Sequence, residues 1–349
     1  MKRCLAAACA AVLFSAPGSA FAQAKATIAG VPDIPFTSVP NFLKLPSGEN
    51  LGESVAVATN SKGNIYVYHR RDTTRLFEFD KNGAFIREIG KGYYGFEFAH
   101  SVRVDKEDDI WTVDEGTNLV TKFSPQGKVL MVIGRRPPAV DGPVTFPAGP
   151  NKPAQPYVLC RPTDVGWDPQ GNIFVSDGYC NNRVVKFDKN GRFLAQAGSE
   201  KAGKGPGEFT LPHGLQVDRQ GNVYVADRTN IRYQVLDNDL KPKAIYDQVG
   251  VGWTACVSQG PHQYLFASNS NPNGNQPGTW AITGEIYKME LDGTIIGKFG
   301  HASKEFGGFQ VTHMMDCRNP DEMIVGEIES WRVQKLMLKA PAPAKQASR

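Results

Sequence analysis

The sequence predicts an all-β protein, a six-bladed β-propeller that follows a signal peptide. Short runs in which apolar and polar residues alternate are separated by turn signals along most of the chain. One sequence pattern recurs at a spacing of about 40–50 residues, which is typical of propeller blades. It consists of a Gly-Asn pair followed by a strand, a turn, a second strand, a DxxG motif and a third strand. The 36 glycines and 24 prolines suit many short strands joined by turns.

The clearest copy of the repeat is Cys160–Phe187. The alternating run Asn172–Ser176 predicts a strand, and Asp177-Gly178 ends it. Asn182–Phe187 predicts the next strand, and Asp188–Gly191 predicts a hairpin turn whose glycine supplies the positive φ that such turns require. One blade therefore consists of strands joined by tight turns.

Six such repeats are expected between residues 51 and 338. They run Ser54–Gly90, His100–Gly134, Thr163–Gly198, His213–Val249, Thr254–Gly300 and His313–Leu338. The strands predicted outside the third repeat are Ile65–Tyr68, Leu76–Phe79, Phe85–Ile89, Ile110–Val113, Val120–Phe123, Val129–Ile133, Val223–Ala226 and Tyr233–Leu236.

The sixth repeat lacks a segment for its outermost strand. A propeller ring that does not close leaves exposed strand edges, so a strand from elsewhere in the chain is expected to complete it. The N-terminal segment 23–50 contains a candidate, Val39–Leu45. We also expect a polar insertion at Asn269–Gly278, a long loop at Arg135–Tyr157 and a disordered tail at 339–349.

Residues 1–22 have the features of a secretory signal, with a basic start, a short apolar run and a small-x-small site before Gln23. Removing it leaves 37 basic against 35 acidic residues, a balance that does not suggest a nucleic-acid partner. No later apolar run is long enough to span a membrane. We therefore expect a secreted or periplasmic monomer.

Four cysteines remain after the signal: Cys160, Cys180, Cys256 and Cys317. An even number in an exported chain indicates disulfides, and four cysteines allow three pairings. We favour Cys160–Cys180 and Cys256–Cys317. The competing interpretation is a thiolate metal site, but the chain has no CxxC motif.

The first strands of the six repeats share one register. In that column histidines alternate with hydroxyl residues: Ser54, His100, Thr163, His213, Thr254 and His313. First strands line the central channel of a propeller, so histidines from alternate blades are expected to converge on the axis. Three imidazoles with an open fourth position suit a catalytic zinc ion. The alternative is that these histidines only line the channel and bind water.

A second set of residues follows the second strands, at one mouth of the channel. Arg70 and Arg228 lie in opposite blades, and two guanidinium groups near a metal suit a substrate that bears a carboxylate. Tyr179 adjoins Cys180 and is a candidate catalytic phenol. The alternatives are ion pairs of the arginines with Asp114 or Glu327, and simple packing of the tyrosine at the rim.

These residues carry a resemblance to NHL-type propellers, and more closely to the peptidyl-α-hydroxyglycine α-amidating lyases. The similarity spans about Ser54–Leu338 and is clearest in CRPTDVGWDPQGNIFVSDGYCNNRVVKF, LPHGLQVD and VYVADR. The resemblance implies zinc at His100, His213 and His313, a carboxylate-binding Arg70, a second active-site Arg228 and a base, Tyr179, clasped by Cys160–Cys180.

The chain also departs from that family. The family's structural calcium ion has an aspartate ligand directly after the third zinc histidine, and here that position is Met314, which argues against calcium. Val311 replaces a family methionine. Cys256 and Cys317 differ from the family's second disulfide, and the chain contains no monooxygenase partner domain.

The function expected from these residues is a zinc-dependent lyase. It would cleave an N-acyl or peptidyl α-hydroxyglycine, a small-molecule or peptide substrate with a carboxylate, to an amide and glyoxylate. The alternatives are a non-catalytic propeller that binds a peptide or glycan, a lactonase-like calcium hydrolase, and a streptogramin-lyase-like propeller. Lactonase-type channels favour acidic and amide side chains over histidines, so that alternative ranks low.

Overall fold

The structure, a computed structural model, describes residues 26–136, 154–270 and 283–339. The strands in these residues form six four-stranded antiparallel sheets, which confirms the predicted six-bladed propeller. From the innermost strand outward, blade 1 contains β2 (Glu53–Thr59), β3 (Ile65–Arg70), β4 (Thr74–Phe79) and β5 (Phe85–Ile89), and blade 2 contains β6 (Ala99–Val104), β7 (Ile110–Asp114), β8 (Leu119–Phe123) and β9 (Val129–Gly134).

The other four blades repeat this order. Blade 3 contains β10 (Asp164–Trp167), β11 (Ile173–Asp177), β12 (Arg183–Phe187) and β13 (Phe193–Gly198), and blade 4 contains β14 (Pro212–Val217), β15 (Val223–Asp227), β16 (Arg232–Leu236) and β17 (Pro242–Tyr246). Blade 5 contains β18 (Ala255–Val257), β19 (Tyr264–Asn269), β20 (Glu285–Glu290) and β21 (Ile295–Phe299), and blade 6 contains β22 (Thr312–Asn319), β23 (Glu322–Glu327), β24 (Arg332–Leu338) and β1 (Phe36–Val39).

The ring closes through the N-terminal strand. β1 pairs antiparallel with β24, with Phe36 opposite Leu338 and Val39 opposite Lys335. The expected segment Val39–Leu45 is wrong in position, since the strand ends at Val39. The next residue, Pro40, has no N–H for the strand ladder, and Asn41 adopts a positive φ of 46°.

The turns that join the strands explain the recurring DxxG motif. The Oδ1 atom of Asp188 accepts hydrogen bonds of 2.8 Å from the backbone N–H groups of Asn190 and Arg192. Gly191 completes the turn at a φ of +80°. The aspartate carboxylate thus accepts hydrogen bonds from backbone N–H groups of the turn, which stabilises the turn between β12 and β13.

The innermost strands form a closed ring. Each of β2, β6, β10, β14, β18 and β22 contacts the first strand of both neighbouring blades, including β22 against β2. Apolar side chains fill the space between blades, and Trp111 of blade 2 stacks on Trp167 of blade 3 at 5.5 Å between ring centroids. The strands that carry the histidine column therefore surround one shared axis.

Some sequence predictions concern residues whose placement is not described. The signal segment 1–22 lies outside the described residues, as do most of the insertions Arg135–Tyr157 and Asn269–Gly278 and nearly all of the tail 339–349. In the part of the chain that the structure describes, no helix is long and apolar enough to cross a membrane.

Candidate metal centre

The three histidines of the column meet on the channel axis. His100, His213 and His313 lie on β6, β14 and β22, and all three are buried. Their ligand atoms lie within 4.8 Å of one another. The centroid of the His100 ring is 4.6 Å from that of His213 and 4.7 Å from that of His313. Among the described residues no other group of three or more potential ligand side chains is gathered in this way.

Backbone carbonyl groups of neighbouring blades orient each imidazole. Nδ1 of His100 lies 2.6 Å from the oxygen of Thr163, Nδ1 of His213 lies 2.6 Å from that of Trp253, and Nδ1 of His313 lies 2.8 Å from that of Val55. A carbonyl oxygen only accepts, so each Nδ1 carries the hydrogen and each Nε2 keeps a lone pair. Holding Nδ1–H in this way is the usual means of presenting Nε2 to a metal.

The donor set fits a zinc ion. Nε2 of His100 and Nε2 of His213 are buried and have no hydrogen-bond partner among the described residues. Burial lowers the pKa of all three histidines, that of His313 to about 3. The positive charges of Arg70 and Arg228 act in the same direction. Three neutral, convergent imidazoles, two of them with an unpaired buried Nε2, therefore form a site that a divalent cation satisfies.

Tyr179 lies against this cluster. It follows β11, and the disulfide Cys160–Cys180 joins its neighbour to the strand-entry segment of the same blade. The centroid of its ring is 5.7 Å from that of His100, and its hydroxyl oxygen accepts a 3.4 Å hydrogen bond from Nη1 of Arg228. Burial, followed by the carboxylate of Glu115, raises the pKa of the phenol, and nearby arginines oppose that rise.

Arg70 and Arg228 both face the mouth beside the histidines. The guanidinium carbon of Arg70 lies 3.6 Å from the ring centroid of Phe98, and that of Arg228 lies 3.4 Å from the ring centroid of Trp253. Arg70 pairs through Nε with Glu53. Both guanidinium groups therefore stand on aromatic faces at the same end of the channel.

The ion pairs with Asp114 or Glu327 that the sequence left as alternatives are wrong. Asp114 accepts hydrogen bonds from the Tyr68 hydroxyl and from backbone N–H groups, and Glu327 pairs with Arg332. Both carboxylates stabilise their own turns.

Sequence reasoning missed two residues of the site, Glu115 and Arg161. Buried Glu115 lies with Oε2 3.8 Å from Nε2 of His100, and its Oε1 pairs with Arg161. The guanidinium of Arg161 covers the Tyr179 ring with its carbon 4.4 Å from the ring centroid. Glu115 directly follows the second strand of its blade, as Tyr179 and Arg228 follow theirs, and this shared position was the available signal. Nothing in the sequence indicated the pairing of Arg161 with Glu115.

The remaining column residues do not join the cluster. Ser54, Thr163 and Thr254 are buried in the channel wall, where the Thr163 hydroxyl lies 2.9 Å from the Pro212 oxygen. The histidines outside the column also lie elsewhere. His69 contacts the Leu51 oxygen through Nδ1 at 2.6 Å, and His262 pairs with Glu290.

The second disulfide joins Cys256 of β18 to Cys317 of β22, the pairing favoured from the sequence. Along the chain Cys256 follows Thr254 and Cys317 follows His313, so both cysteines lie away from the mouth with the arginines. They line a cavity of about 480 Å³ at the other end of the channel. Two disulfides are typical of a protein from an oxidising compartment.

The position of the family's calcium ligand does not fit a cation. Met314 is buried, and its Sδ lies 3.7 Å from Nη2 of Arg103, a group that is itself positively charged. Calcium prefers six to eight oxygen ligands. The Met314 side chain offers only a thioether sulfur, and the neighbouring guanidinium would repel a calcium ion.

Comparisons with known proteins agree with the fold. A family model described as a 6-bladed beta-propeller matches residues 165–280. A solved streptogramin B lyase covers 87% of this chain and 98% of its own at a TM-score of 0.52, with 14% sequence identity. At that identity the likeness shows the fold alone.

Proteins related in sequence give more specific information about the family than the solved structure does. The chain is 30% identical over 325 residues to a Caenorhabditis elegans protein named as a probable peptidyl-alpha-hydroxyglycine alpha-amidating lyase, covering 84% of each chain. It is also 30% identical over 304 residues to human NHL repeat-containing protein 3, covering 81% of this chain and 79% of that protein. Mouse peptidyl-glycine alpha-amidating monooxygenase is 31% identical over 220 residues, and the match spans only 21% of its length.

Proposed function

The chain belongs to the family of NHL-repeat six-bladed propellers that includes the peptidyl-α-hydroxyglycine α-amidating lyases, and from this membership we propose that it is a zinc-dependent lyase of N-acyl or peptidyl α-hydroxyglycines. One observation carries the proposal. The three convergent histidines, Tyr179 and two guanidinium groups all lie at one mouth of the channel. That combination matches the three polar features of the substrate: a hydroxyl, a carboxylate and an amide.

The reaction cleaves the bond between the amide nitrogen and the hydroxyl-bearing carbon. The hydroxyl loses its proton, its oxygen forms the carbonyl of glyoxylate, and the electron pair of the broken C–N bond goes to the nitrogen. The nitrogen then takes one proton and leaves as a primary amide, so atoms and charge balance. No oxidant or water is consumed.

Each residue has a defined part in that reaction. Arg70 and Arg228 hold the carboxylate, which places the hydroxyl toward the histidines. Tyr179 accepts the hydroxyl proton and returns it to the departing nitrogen. The hydrogen bond that Arg228 donates to the Tyr179 oxygen stabilises the phenolate during that exchange. A zinc ion at the histidines would supply Lewis-acid chemistry that lowers the pKa of a hydroxyl group it meets.

Burial makes the phenol a weaker acid than an exposed tyrosine. Its pKa is raised by desolvation first, and the positive charges of Arg228, Arg161 and Arg70 work against that rise. A cation held by the histidines would add to the effect of the arginines. The proposal therefore requires the metal for Tyr179 to act near neutral pH.

We further infer export to the periplasm or cell exterior from the predicted signal and the two disulfides. The mature chain would act as a monomer on a carboxylate-bearing small molecule or peptide. Nothing in its charge balance suggests a nucleic-acid partner.

The test combines elemental analysis with a glyoxylate-release assay on α-hydroxyhippurate. The wild type should contain one zinc ion per chain and release glyoxylate, and His213→Ala should lose both. His262→Ala removes an exposed histidine outside the channel and serves as the matched control, which should keep metal and activity. A metal-free, inactive wild type would instead favour the non-catalytic propeller.

A further inference from the structure

A buried ion pair joins the first strands of blades 2 and 3 beneath the three histidines. Arg103 lies on β6 three residues after His100, and Asp164 lies on β10. Nε of Arg103 donates to Oδ1 of Asp164 at 3.0 Å, and Nη2 donates to Oδ2 at 2.5 Å. The arginine side chain is 7% exposed and the aspartate side chain 0%. A two-pronged bond of this kind fixes both groups in direction as well as distance.

The pair also bonds to the strands that carry the other two histidines. Nη1 of Arg103 donates to the Met315 oxygen at 3.1 Å, on the strand of His313. Oδ2 of Asp164 accepts from the backbone N–H of Leu215 at 2.8 Å, on the strand of His213.

The strand of His100 is held in the same way, because Oδ1 of Asp164 accepts from the Ser101 hydroxyl at 2.6 Å. Thr163, which precedes Asp164, supplies the carbonyl that orients the His100 ring. Each histidine is therefore tied to the ion pair through a residue one or two positions away along its own strand.

The geometry points to Arg103 as the internal cation of this channel, which takes the place of a structural calcium ion and positions the three histidines. A guanidinium supplies a fixed positive charge and directed hydrogen bonds to Asp164 and Met315. The side chain of the adjacent Met314 has no oxygen to offer a hard cation. This inference rests on the proposed metal centre but does not depend on the lyase reaction.

The first experiment asks whether calcium is needed. Purified wild-type protein is subjected to elemental analysis, and its Tm is measured with and without millimolar calcium chloride. We expect no stoichiometric calcium and no shift in Tm. A site filled at 100 times its Kd would raise Tm by several degrees, so one calcium ion per chain or such a rise would overturn the inference.

The second experiment asks whether Arg103 positions the histidines. The zinc Kd is measured by competition with a chromogenic chelator for wild type, Arg103→Met and Arg232→Met. Arg232 is the matched control, since it is also 7% exposed and pairs with a 0% exposed carboxylate, that of Asp227, within blade 4. We expect Arg103→Met to weaken zinc binding by about 10- to 100-fold, the usual effect of losing a group that orients metal ligands.

Arg232→Met should lower Tm yet keep the wild-type Kd. A folded Arg103→Met protein with the wild-type Kd would refute the positioning role, as would an equal loss of affinity in both variants. If Arg103→Met does not fold, Arg103→Lys takes its place, because lysine keeps the charge but not the two-pronged bond. The lysine variant should bind zinc several-fold more weakly, and an unchanged Kd would refute the inference.

These readouts use no substrate. Zinc binding without glyoxylate release would end the lyase proposal and leave the role of Arg103 intact. A wild type that binds no zinc would end the proposed metal centre and with it the positioning role, and the calcium measurement would still decide whether the channel needs that ion.

Discussion

Replacing Glu53 by glutamine tests whether Arg70 receives the substrate carboxylate. Arg70 donates through Nε to Glu53 and through Nη1 to the Ala99 oxygen at 3.0 Å. Arginine has five N–H donors, and among the described residues Nη2 and the second Nη1 hydrogen have no acceptor, so they can bind an incoming carboxylate. Glutamine keeps an acceptor oxygen for Nε but carries no charge. The variant therefore removes the negative charge of Glu53, which partly neutralises Arg70 and would repel the carboxylate of the substrate.

The size of that repulsion follows from the distances. Two carboxylates on one guanidinium lie roughly 6 Å apart and repel by ~0.7 kcal/mol at the dielectric constant of water and ~2.8 kcal/mol at an effective value of 20. The Glu53 side chain is 37% exposed, which places the energy toward the lower end. We expect Glu53→Gln to lower the KM for α-hydroxyhippurate by about 3- to 10-fold and to leave kcat nearly unchanged.

The assay is glyoxylate release, with hippurate as a competitive inhibitor that bears the carboxylate but lacks the hydroxyl. N-methylbenzamide has no carboxylate and should inhibit wild type and variant equally. Glu49→Gln is the matched control, because Glu49 pairs with Arg75 outside the site and is similarly exposed. An unchanged KM, or an equal change for the uncharged inhibitor, would show that Arg70 is not the carboxylate-binding group.

Three other predictions concern catalysis, acid stability and ring closure. Tyr179→Phe removes the proposed proton acceptor and should cut kcat by roughly 10²-fold while Tm stays close to wild type; a near-wild-type kcat in the glyoxylate assay would remove Tyr179 from the mechanism. Burial lowers the pKa of His69 to about 4, below the ~6.5 of an unfolded chain, so the stability contributed by neutral His69 is present above pH 6.5 and is lost as pH falls toward 4. Urea denaturation gives the free energy of unfolding of wild type and of His69→Gln at pH 7.5 and at pH 5. Between these two pH values the wild type should lose about 2 kcal/mol relative to the variant. A difference that stays constant would mean that His69 does not resist protonation in the folded protein. Deleting residues 36–46 removes the strand Phe36–Val39 that covers the edge of β24, so Tm by calorimetry should fall by many degrees, and an unchanged Tm would refute its role in closing the ring.

Much of the architecture follows from local sequence patterns. The strand Phe85–Ile89 is found where its alternation predicted it, because period-2 patterning and DxxG turns act over a few neighbouring residues. The closing strand is Phe36–Val39 and not the predicted Val39–Leu45. The prediction relied only on the need to close the ring, whereas Pro40 determines locally where strand pairing stops.

The sequence by itself determined the number of blades and the register that aligns His100, His213 and His313. A repeat with a constant register turns one sequence column into a ring around the axis, so their meeting did not require knowledge of any single contact. Only the tertiary structure decided the partners of each group: Glu53 on Arg70, Arg161 on Glu115, and the Arg103–Asp164 pair beneath the histidines. The Arg161–Glu115 and Arg103–Asp164 pairs link residues more than 40 positions apart, so they depend on how neighbouring blades are placed. The Glu53–Arg70 pair crosses one hairpin and depends on side-chain direction, which no local pattern encodes.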